Sequence, residues 1–221
     1  MQTETRVSLV EKYRPRRIAD FIGHEKIKKI LSAYVANPYP TAFLFSGPPG
    51  AGKTSMGQAM SYEMGAEFHH LVARQCGFDV LTNLCNSCWD VPIFASAHKG
   101  RKYAMHFVLI DEVDEITGTA QTLFLSKLDS TQRPPNTIFV FTSNDPGKLE
   151  PRFVSRCIRL DFNSYGEIGN IKIEIEKFLD KVWHAEGGNG NAPNWKGVVR
   201  ERGMNIRDCL LYLETELLTR G

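Results

Sequence analysis

The chain has 221 residues, of which 42% are hydrophobic and 24% are charged. This mixture is that of an ordinary globular protein, so it excludes a chain that is mainly disordered. The length suits one large domain, or one domain with a small satellite. The formal net charge is only +2, so bulk electrostatics predict neither a nucleic-acid partner nor a membrane partner.

The sequence has no apolar run that approaches the roughly 18 residues needed for a membrane span. The first six residues, Met1–Arg6, are polar and are not followed by an apolar segment, which argues against a secretory signal. The five cysteines are an odd number, which favours reduced thiols over a disulfide framework. We therefore expect a cytoplasmic protein with no membrane partner.

Apolar periodicity predicts strands that alternate with helices over the first three quarters of the chain. In chain order, the predicted elements are helix 25–35, strand 42–45, helix 53–64, strand 68–72, helix 79–89, strand 105–110, helix 120–128, strand 137–141 and strand 157–162. This alternation is typical of a parallel sheet covered by helices on both faces. The expected fold class is therefore α/β, with a five-stranded parallel sheet.

After residue 162 the pattern changes, and only helices are predicted. They cover residues 168–183 and 207–218, and a glycine- and asparagine-rich loop at 187–193 lies between them. We therefore predict two domains, an α/β nucleotide-binding domain over residues 1–162 and a small helical lid domain over residues 163–221.

A glycine-rich motif follows the first predicted strand and precedes a helix. It consists of Gly47, Pro48, Pro49, Gly50, Ala51, Gly52, Lys53 and Thr54, and it matches the Walker A pattern G-x-x-x-x-G-K-[ST] in full. Such a loop turns successive backbone N–H groups toward a phosphate, and the following helix adds the positive end of its dipole. Lys53 is expected to reach the β- and γ-phosphates, Thr54 to ligate Mg²⁺, and Ser55 to complete the nucleotide-binding segment. The alternative, a turn that binds nothing, is disfavoured by the full match in this context.

Two adjacent carboxylates, Asp111 and Glu112, follow the predicted strand at 105–110. Ligands bind at the carboxyl ends of parallel strands, so Asp111 is expected to hold Mg²⁺, through water. Glu112 is expected to orient or deprotonate the water that attacks the γ-phosphate. The alternative is an acidic helix cap. A second carboxylate is not needed for binding alone, so it favours an ATPase over a nucleotide-binding adaptor without turnover.

The strand predicted at 137–141 ends in a polar tip, Thr142-Ser143-Asn144. Beside a phosphate site, Asn144 could position the attacking water. The alternative is an ordinary exit from the strand into the turn Asn144-Asp145-Pro146-Gly147.

These motifs together resemble those of AAA+ ATPases, and among them the clamp-loader subunits of the replication factor C small-subunit type. The most specific segment is Glu11-Lys12-Tyr13-Arg14-Pro15. The other segments that carry the resemblance are Gly47–Thr54, Asp111-Glu112-Val113-Asp114, Asn144 and Ser155-Arg156-Cys157. The resemblance covers nearly the whole chain and implies a P-loop NTPase fold of the AAA+ type, with ATP and Mg²⁺ as cofactors.

The resemblance also implies roles for single residues. Tyr13, Arg14 and Pro15 would lie near the adenine and the domain hinge. Asn144 would be the polar sensor residue. Arg156 would be an arginine finger that acts in trans, on ATP bound by the neighbouring subunit.

A lid arginine that senses the γ-phosphate is implied as well, and Arg207 is its candidate. Three residues separate Gly203 from Arg207, whereas the family usually has two. Arg202 and Arg200 are therefore kept as alternatives.

The function implied is that of a Mg²⁺-dependent ATPase in a clamp-loader-like complex, which opens a sliding clamp and places it on primer-template DNA during replication. Its partners would be neighbouring AAA+ subunits in a homo- or hetero-oligomeric ring, the sliding clamp and the DNA. Such subunits usually continue into a helical collar domain beyond the position of Gly221. Another DNA-associated AAA+ machine, for branch migration, recombination or transposition, therefore remains the alternative.

Two further groups of residues invite other interpretations. Zinc binding is suggested by Cys76, Cys85 and Cys88 with His69 and His70 nearby, but the next Cys-x-x-Cys step falls on Val91, so we favour buried free thiols. DNA binding is suggested by Lys99-Gly100-Arg101-Lys102 and by Lys26, Lys28 and Lys29, but solvated lysines are the more common explanation. DNA is therefore expected only through the family resemblance.

Overall fold

The computed structural model describes residues 7–92, 105–129, 131–163, 168–188 and 191–220. The strands in these ranges are β1 (Thr41–Ser46), β2 (Glu67–Val72), β3 (His106–Asp111), β4 (Thr137–Ser143) and β5 (Ile158–Asp161). The helices are α1 (Leu9–Lys12), α2 (Glu25–Ala36), α3 (Lys53–Met64), α4 (Phe78–Ser87), α5 (Gly118–Lys127), α6 (Pro151–Val154), α7 (Ile168–Ala185), α8 (Trp195–Glu201) and α9 (Ile206–Arg220).

The strands of the described ranges form one five-stranded parallel sheet in the order β2-β3-β4-β1-β5. Strands β1, β3 and β4 are buried along their whole length, as expected at the centre of a sheet covered on both faces. The predicted fold class is confirmed. The carboxyl ends of β1, β3 and β4 lie side by side, which brings the three polar motifs of the sequence to one edge.

Alternation along the strands builds two apolar cores, one on each face of the sheet. Helices α2 and α3 cover one face, where Leu31 and Met60 pack with Leu109 of β3. Helices α4 and α5 cover the other face, where Leu81 and Phe124 belong to the same core as Val108 and Ile110 of β3. Each face of the sheet is therefore covered by a different pair of helices.

A third core lies among the C-terminal helices α7, α8 and α9, and the N-terminal helix α1 joins it. Leu9 of α1 packs in the same cluster as Trp183 and Leu213, and the hydroxyl of Ser8 donates to Glu214 at 3.0 Å. The segment before Tyr13 is thus part of the helical core in space. The division at residue 162 remains a prediction.

All five predicted strands are present, with ends shifted by a few residues. Asp111 and Ser143 are the last residues of their strands, so the polar motifs begin inside the sheet. Helices α1, α6 and α8 were missed because each has only four to seven residues, too few for a periodic pattern. The basic segment Lys99–Lys102 lies outside the described residues. Among the described residues, the structure has no helix with the length and apolar character of a membrane span.

Candidate nucleotide-binding site

A cavity of about 1030 Å³ lies between the carboxyl edge of the sheet and the C-terminal helices. Except for Gly47, every residue that the sequence predicts to contact a nucleotide bound by its own chain lines this cavity. These residues are Tyr13, Arg14, Pro15, Pro48, Pro49, Gly50, Ala51, Gly52, Lys53, Thr54, Ser55, Asp111, Glu112, Asn144 and Arg207. Residues far apart in the sequence therefore converge on one space that is large enough for a nucleotide.

The glycine-rich loop between β1 and α3 holds a backbone that glycine adopts most readily. Gly50 and Gly52 have φ angles of 78° and 86°, in the left-handed region that disfavours other residues. A Cβ atom on Gly50 would lie only 2.3 Å from Oδ1 of Asn205, just before α9. The loop thus needs glycine at this position both for its turn and for the close approach of the lid.

Lys53 is the most buried charged group at the cavity, with only 7% of its surface exposed. Its ammonium group donates to the carbonyl oxygens of Gly47 and Pro48 at 2.7 and 2.8 Å, and to Oδ1 of Asn144 at 2.9 Å. Burial lowers the pKa of Lys53 to about 8, although the nearby carboxylates of Asp114 and Asp111 act in the opposite direction. All three hydrogen-bond partners are neutral, so a phosphate would supply the countercharge that the ammonium lacks in direct contact.

Asp111 is held by three side chains at the end of β3. Its Oδ1 accepts hydrogen bonds from the hydroxyls of Thr54 and Thr142, both at 2.9 Å, and its Oδ2 lies 2.7 Å from Nε2 of His70. Burial acts to raise the pKa of Asp111, but the hydrogen bonds from His70, Thr142 and Thr54 outweigh burial and lower this pKa. The carboxylate is therefore ionised at neutral pH. With the Thr54 hydroxyl beside it, it forms the hard oxygen donor set that Mg²⁺ prefers.

Glu112 follows directly and leaves the strand in a left-handed conformation, with a φ angle of 58°. Its backbone N–H donates to the Thr142 hydroxyl at 3.1 Å, which fixes this turn. The Glu112 side chain is exposed and lines the cavity. A strained non-glycine residue at the mouth of a cavity is typical of functional positions.

Asn144 connects the lysine to the acidic segment after β3. Its side-chain oxygen accepts from Lys53, and its backbone N–H donates to Oδ1 of Asp114 at 3.1 Å. The residue is thereby fixed beside the glycine-rich loop, and its role as a polar sensor remains a prediction.

Tyr13 and Arg14 join the two parts of the molecule that enclose the cavity. The Tyr13 hydroxyl donates to Glu186, just after α7, at 2.5 Å, and burial together with this carboxylate raises the pKa of Tyr13 to about 12. Arg14 donates to Oε1 of Gln58 on α3 at 2.9 Å. The N-terminal segment is therefore attached on one side to the lid and on the other to the helix that follows the phosphate loop.

Of the three arginines considered for the lid, Arg207 alone lines the cavity. Arg207 lies close enough to Lys53 for its charge to lower the lysine pKa. Arg202 instead stacks over the ring of Tyr212, 5.5 Å from its centre. Arg207 is thus the one of the three that lies at the cavity, and its role as a sensor of the γ-phosphate remains a prediction.

Arg156 is not part of the cavity of its own chain. It is exposed, and its guanidinium donates to the backbone oxygen of Arg152 at 2.9 Å. This placement leaves the side chain available to another molecule, and its role in trans remains a prediction.

The family model for ATPases associated with various cellular activities (AAA) matches residues 43–165, which is more than half of the chain. The chain belongs to the AAA family of ATPases. The matched span begins within β1 and ends just after β5, so it contains nearly the whole sheet and all the polar motifs at its carboxyl edge.

Curated relatives of this AAA protein include replication factor C subunits. The replication factor C small subunit of Picrophilus torridus is 31% identical over 161 residues, which are 69% of this chain and 47% of that protein. Replication factor C subunit 3 of Schizosaccharomyces pombe is 27% identical over 219 residues, 96% of this chain and 60% of that protein. The resemblance inferred from the motifs is confirmed, and the chain spans about half the length of the curated relatives it matches.

Among solved structures, the RuvB Holliday junction branch migration motor of Thermotoga maritima superposes with a TM-score of 0.68 over 91% of this chain and 64% of that one. Sequence identity is only 19%, so this likeness bears on the AAA fold alone.

Sequence reasoning missed several side chains that hold the site of this AAA protein together. Asp111 is held by His70 and Thr142. The N-terminal segment is anchored by Gln58 and Glu186, and Asn205 packs against Gly50. None of these belongs to a spacing pattern that points to its partner, because each contact joins residues that lie far apart in the chain.

The Gly50–Asn205 approach gives a direct test of the loop. Gly50→Ala should lower ATP affinity at least tenfold, because alanine in a left-handed conformation costs about 1–2 kcal/mol and its methyl group would also meet Asn205. Calorimetric titration with Mg-ATP measures this loss. Gly118→Ala is the matched control, since a Cβ at Gly118 meets nothing within 4 Å; equal affinities for the two variants would contradict the proposed loop geometry.

Proposed function

We propose that this chain is the ATP-binding and ATP-hydrolysing module of a clamp-loader-like complex, which opens a sliding clamp and places it on primer-template DNA during replication. The observation that carries the proposal is the convergence of Lys53, the Thr54–Asp111 pair and Glu112 on one cavity. The similarity to replication factor C subunits supports a role in replication.

The phosphate end of the nucleotide would lie against the glycine-rich loop. Backbone N–H groups and the helix dipole of α3 favour an anion there, and the Lys53 ammonium would turn from the loop carbonyls to the β- and γ-phosphates. Asp111, through water, and the Thr54 hydroxyl would hold Mg²⁺, which when bound neutralises charge on the phosphate oxygens. The other residues of the site then act on the attacking water and on the lid.

Hydrolysis requires a water in line with the bond that breaks. Glu112 would accept a proton from this water as its oxygen bonds to the γ-phosphorus, and the bond from phosphorus to the bridging oxygen of ADP then breaks. Asn144, which contacts Lys53 and Asp114, would orient the water or the γ-phosphate. The acceptor role of Glu112 distinguishes an ATPase from an adaptor that binds nucleotide without turnover.

Arg156 would complete the site of a neighbouring subunit. Negative charge shifts onto the phosphate oxygens in the transition state, and a guanidinium placed there accelerates hydrolysis by about 10³- to 10⁵-fold. The exposure of Arg156 and its distance from the cavity of its own chain support a role in trans. Hydrolysis would then depend on assembly with neighbouring AAA+ subunits.

The other DNA-associated AAA+ machines remain the second hypothesis. The likeness to RuvB bears on the fold alone, and the curated relatives are replication proteins, so the comparisons favour the clamp-loader proposal. The two hypotheses differ in the DNA structure that should stimulate ATP hydrolysis.

ATP turnover should rise several-fold when primed DNA and a sliding clamp from the same source are added together, because in a clamp loader these ligands favour the hydrolytic state. Phosphate release measures the rate, and Glu112→Gln is the control for contaminating ATPases, since it should bind ATP and show no stimulated turnover. Stimulation by a four-way junction, with none by primed DNA and clamp, would favour the branch-migration alternative.

Mixing two inactive variants tests the finger in trans. Glu112→Gln and Arg156→Ala should each lose almost all turnover alone. Their equimolar mixture should regain about a quarter of the wild-type rate, because a quarter of the interfaces pair an intact Glu112 with an intact Arg156 from the neighbour.

One outcome of this mixing experiment would contradict the role of Arg156 in trans. If the mixture stays as inactive as its two components while native mass spectrometry shows mixed oligomers, Arg156 does not act across the interface. Arg152→Ala serves as the control for a nearby exposed arginine and should keep the wild-type rate.

A further inference from the structure

A second group of potential ligands lies on the face of the sheet opposite helix α3. His69 of β2, Cys88 just after α4 and His106 at the start of β3 each offer one ligand atom, and these atoms lie within 4.8 Å of one another. His106 and Cys88 are buried, with 3% and 0% of their surface exposed. The sequence motifs assigned to the nucleotide do not use these three side chains.

The hydrogen bonds of His106 determine which of its ring nitrogens is available. Its Nε2 lies 3.0 Å from the backbone oxygen of Asp90, and a carbonyl oxygen can only accept, so Nε2 carries the hydrogen. Nδ1 therefore carries the lone pair, and it faces Nε2 of His69 at 3.0 Å. A histidine that donates its other N–H to a backbone carbonyl has the outer contact typical of metal-binding histidines.

The spacing of these atoms suits a small tetrahedral ion. Zinc–nitrogen bonds of about 2.0–2.1 Å place two ligating nitrogens about 3.3 Å apart, close to the 3.0 Å between His69 and His106. A carboxylate oxygen of Glu67, which lies opposite His106 in the sheet, is 3.9 Å from Nε2 of His69. Two imidazoles and a thiol thus surround one point, and Glu67 lies beside His69, from where a change of side-chain rotamer would bring its carboxylate to the fourth position.

We propose that His69, Cys88, His106 and Glu67 bind a zinc ion. Zinc is the favoured metal because nitrogen and sulfur donors in a tetrahedral set select it over Mg²⁺ and Ca²⁺. On binding, Cys88 releases its thiol proton to solvent, and the hydrogen on Nε2 of His69 moves to Nδ1, which leaves both ligating nitrogens with a free lone pair. With four protein ligands, the site has no open position and is structural.

This ligand set differs from the one that cysteine spacing suggests. Cys76, Cys85 and Cys88 all belong to the apolar core beside α4, but only the Cys88 thiol lies within 4.8 Å of the two histidines. The Cys76 thiol instead donates to the backbone oxygen of Val72 at 3.3 Å. The zinc would join the edge strand β2, its neighbour β3 and the end of α4. This inference is independent of the proposed ATPase function, because its ligands lie away from the cavity.

Cobalt titration of the whole chain, after dialysis against a chelator, tests the site. Wild-type protein should bind about one Co²⁺ per chain and show a thiolate-to-cobalt charge-transfer band with the intense visible absorption of a tetrahedral site, both of which stoichiometric Zn²⁺ removes. Cys88→Ser should lose the charge-transfer band, and His69→Asn should lower Co²⁺ affinity at least tenfold. Cys85→Ala and Cys76→Ala are the matched controls and should keep the wild-type spectrum.

Thermal unfolding keeps the test decisive if the Cys88→Ser variant folds poorly. Zn²⁺ should raise the melting temperature of the wild type and of Cys85→Ala, but not that of Glu67→Gln or His69→Asn, whose less buried side chains tolerate substitution. Absence of the cobalt bands in folded wild-type protein would overturn the proposal. So would a band that survives Cys88→Ser but is lost in Cys85→Ala, since the thiolate would then come from another residue.

Discussion

A buried ammonium group surrounded by neutral oxygens is the constraint on which the nucleotide-binding site depends. Removing a cation from water costs free energy, and the lowered pKa of Lys53 reflects that cost. The glycine-rich loop places its carbonyl oxygens around the ammonium, and Asn144 adds a third neutral acceptor. A triphosphate that entered the cavity would meet this charge together with the positive end of α3.

The rest of the fold positions two other groups relative to that charge. The Asp111 carboxylate is held by the hydroxyls of Thr54 and Thr142, so these oxygen atoms come from the end of the loop and from two neighbouring strands. Residues of the C-terminal helices line the other side of the cavity, and the Tyr13 hydroxyl donates to Glu186 just after α7. A nucleotide in the cavity would therefore contact the C-terminal helices and the N-terminal segment together.

Sequence reasoning recovered what local pattern determines. The five strands were predicted because buried parallel strands form continuous apolar runs, and the phosphate loop because its glycines and lysine have fixed spacing. The features that sequence reasoning missed depend on contacts between residues that lie far apart in the chain. His70 reaches Asp111 because β2 and β3 are paired, and α1 joins the lid core although nearly all of the predicted α/β domain separates them.

The cysteines also show that spacing in the sequence does not determine which residues meet in the fold. Their spacing drew attention to Cys76, Cys85 and Cys88 with His69 and His70 nearby, whereas the three-dimensional group keeps only Cys88 and His69 and adds His106 of the neighbouring strand. Alternation along β2 sends His70 to the nucleotide side and His69 to the other face. Two adjacent histidines of one strand thus take part in separate groups, which no spacing rule for cysteines could reveal.

Calorimetric titration with Mg-ATP, before and after Lys53→Met, tests the role of the buried charge most directly. The substitution should remove about 1.5–3 kcal/mol of charge-assisted hydrogen bonding and weaken ATP affinity roughly 10- to 100-fold. Lys148→Met, at an exposed lysine paired with Glu115, should bind like the wild type. Unchanged ATP affinity in a folded Lys53→Met protein would contradict the account.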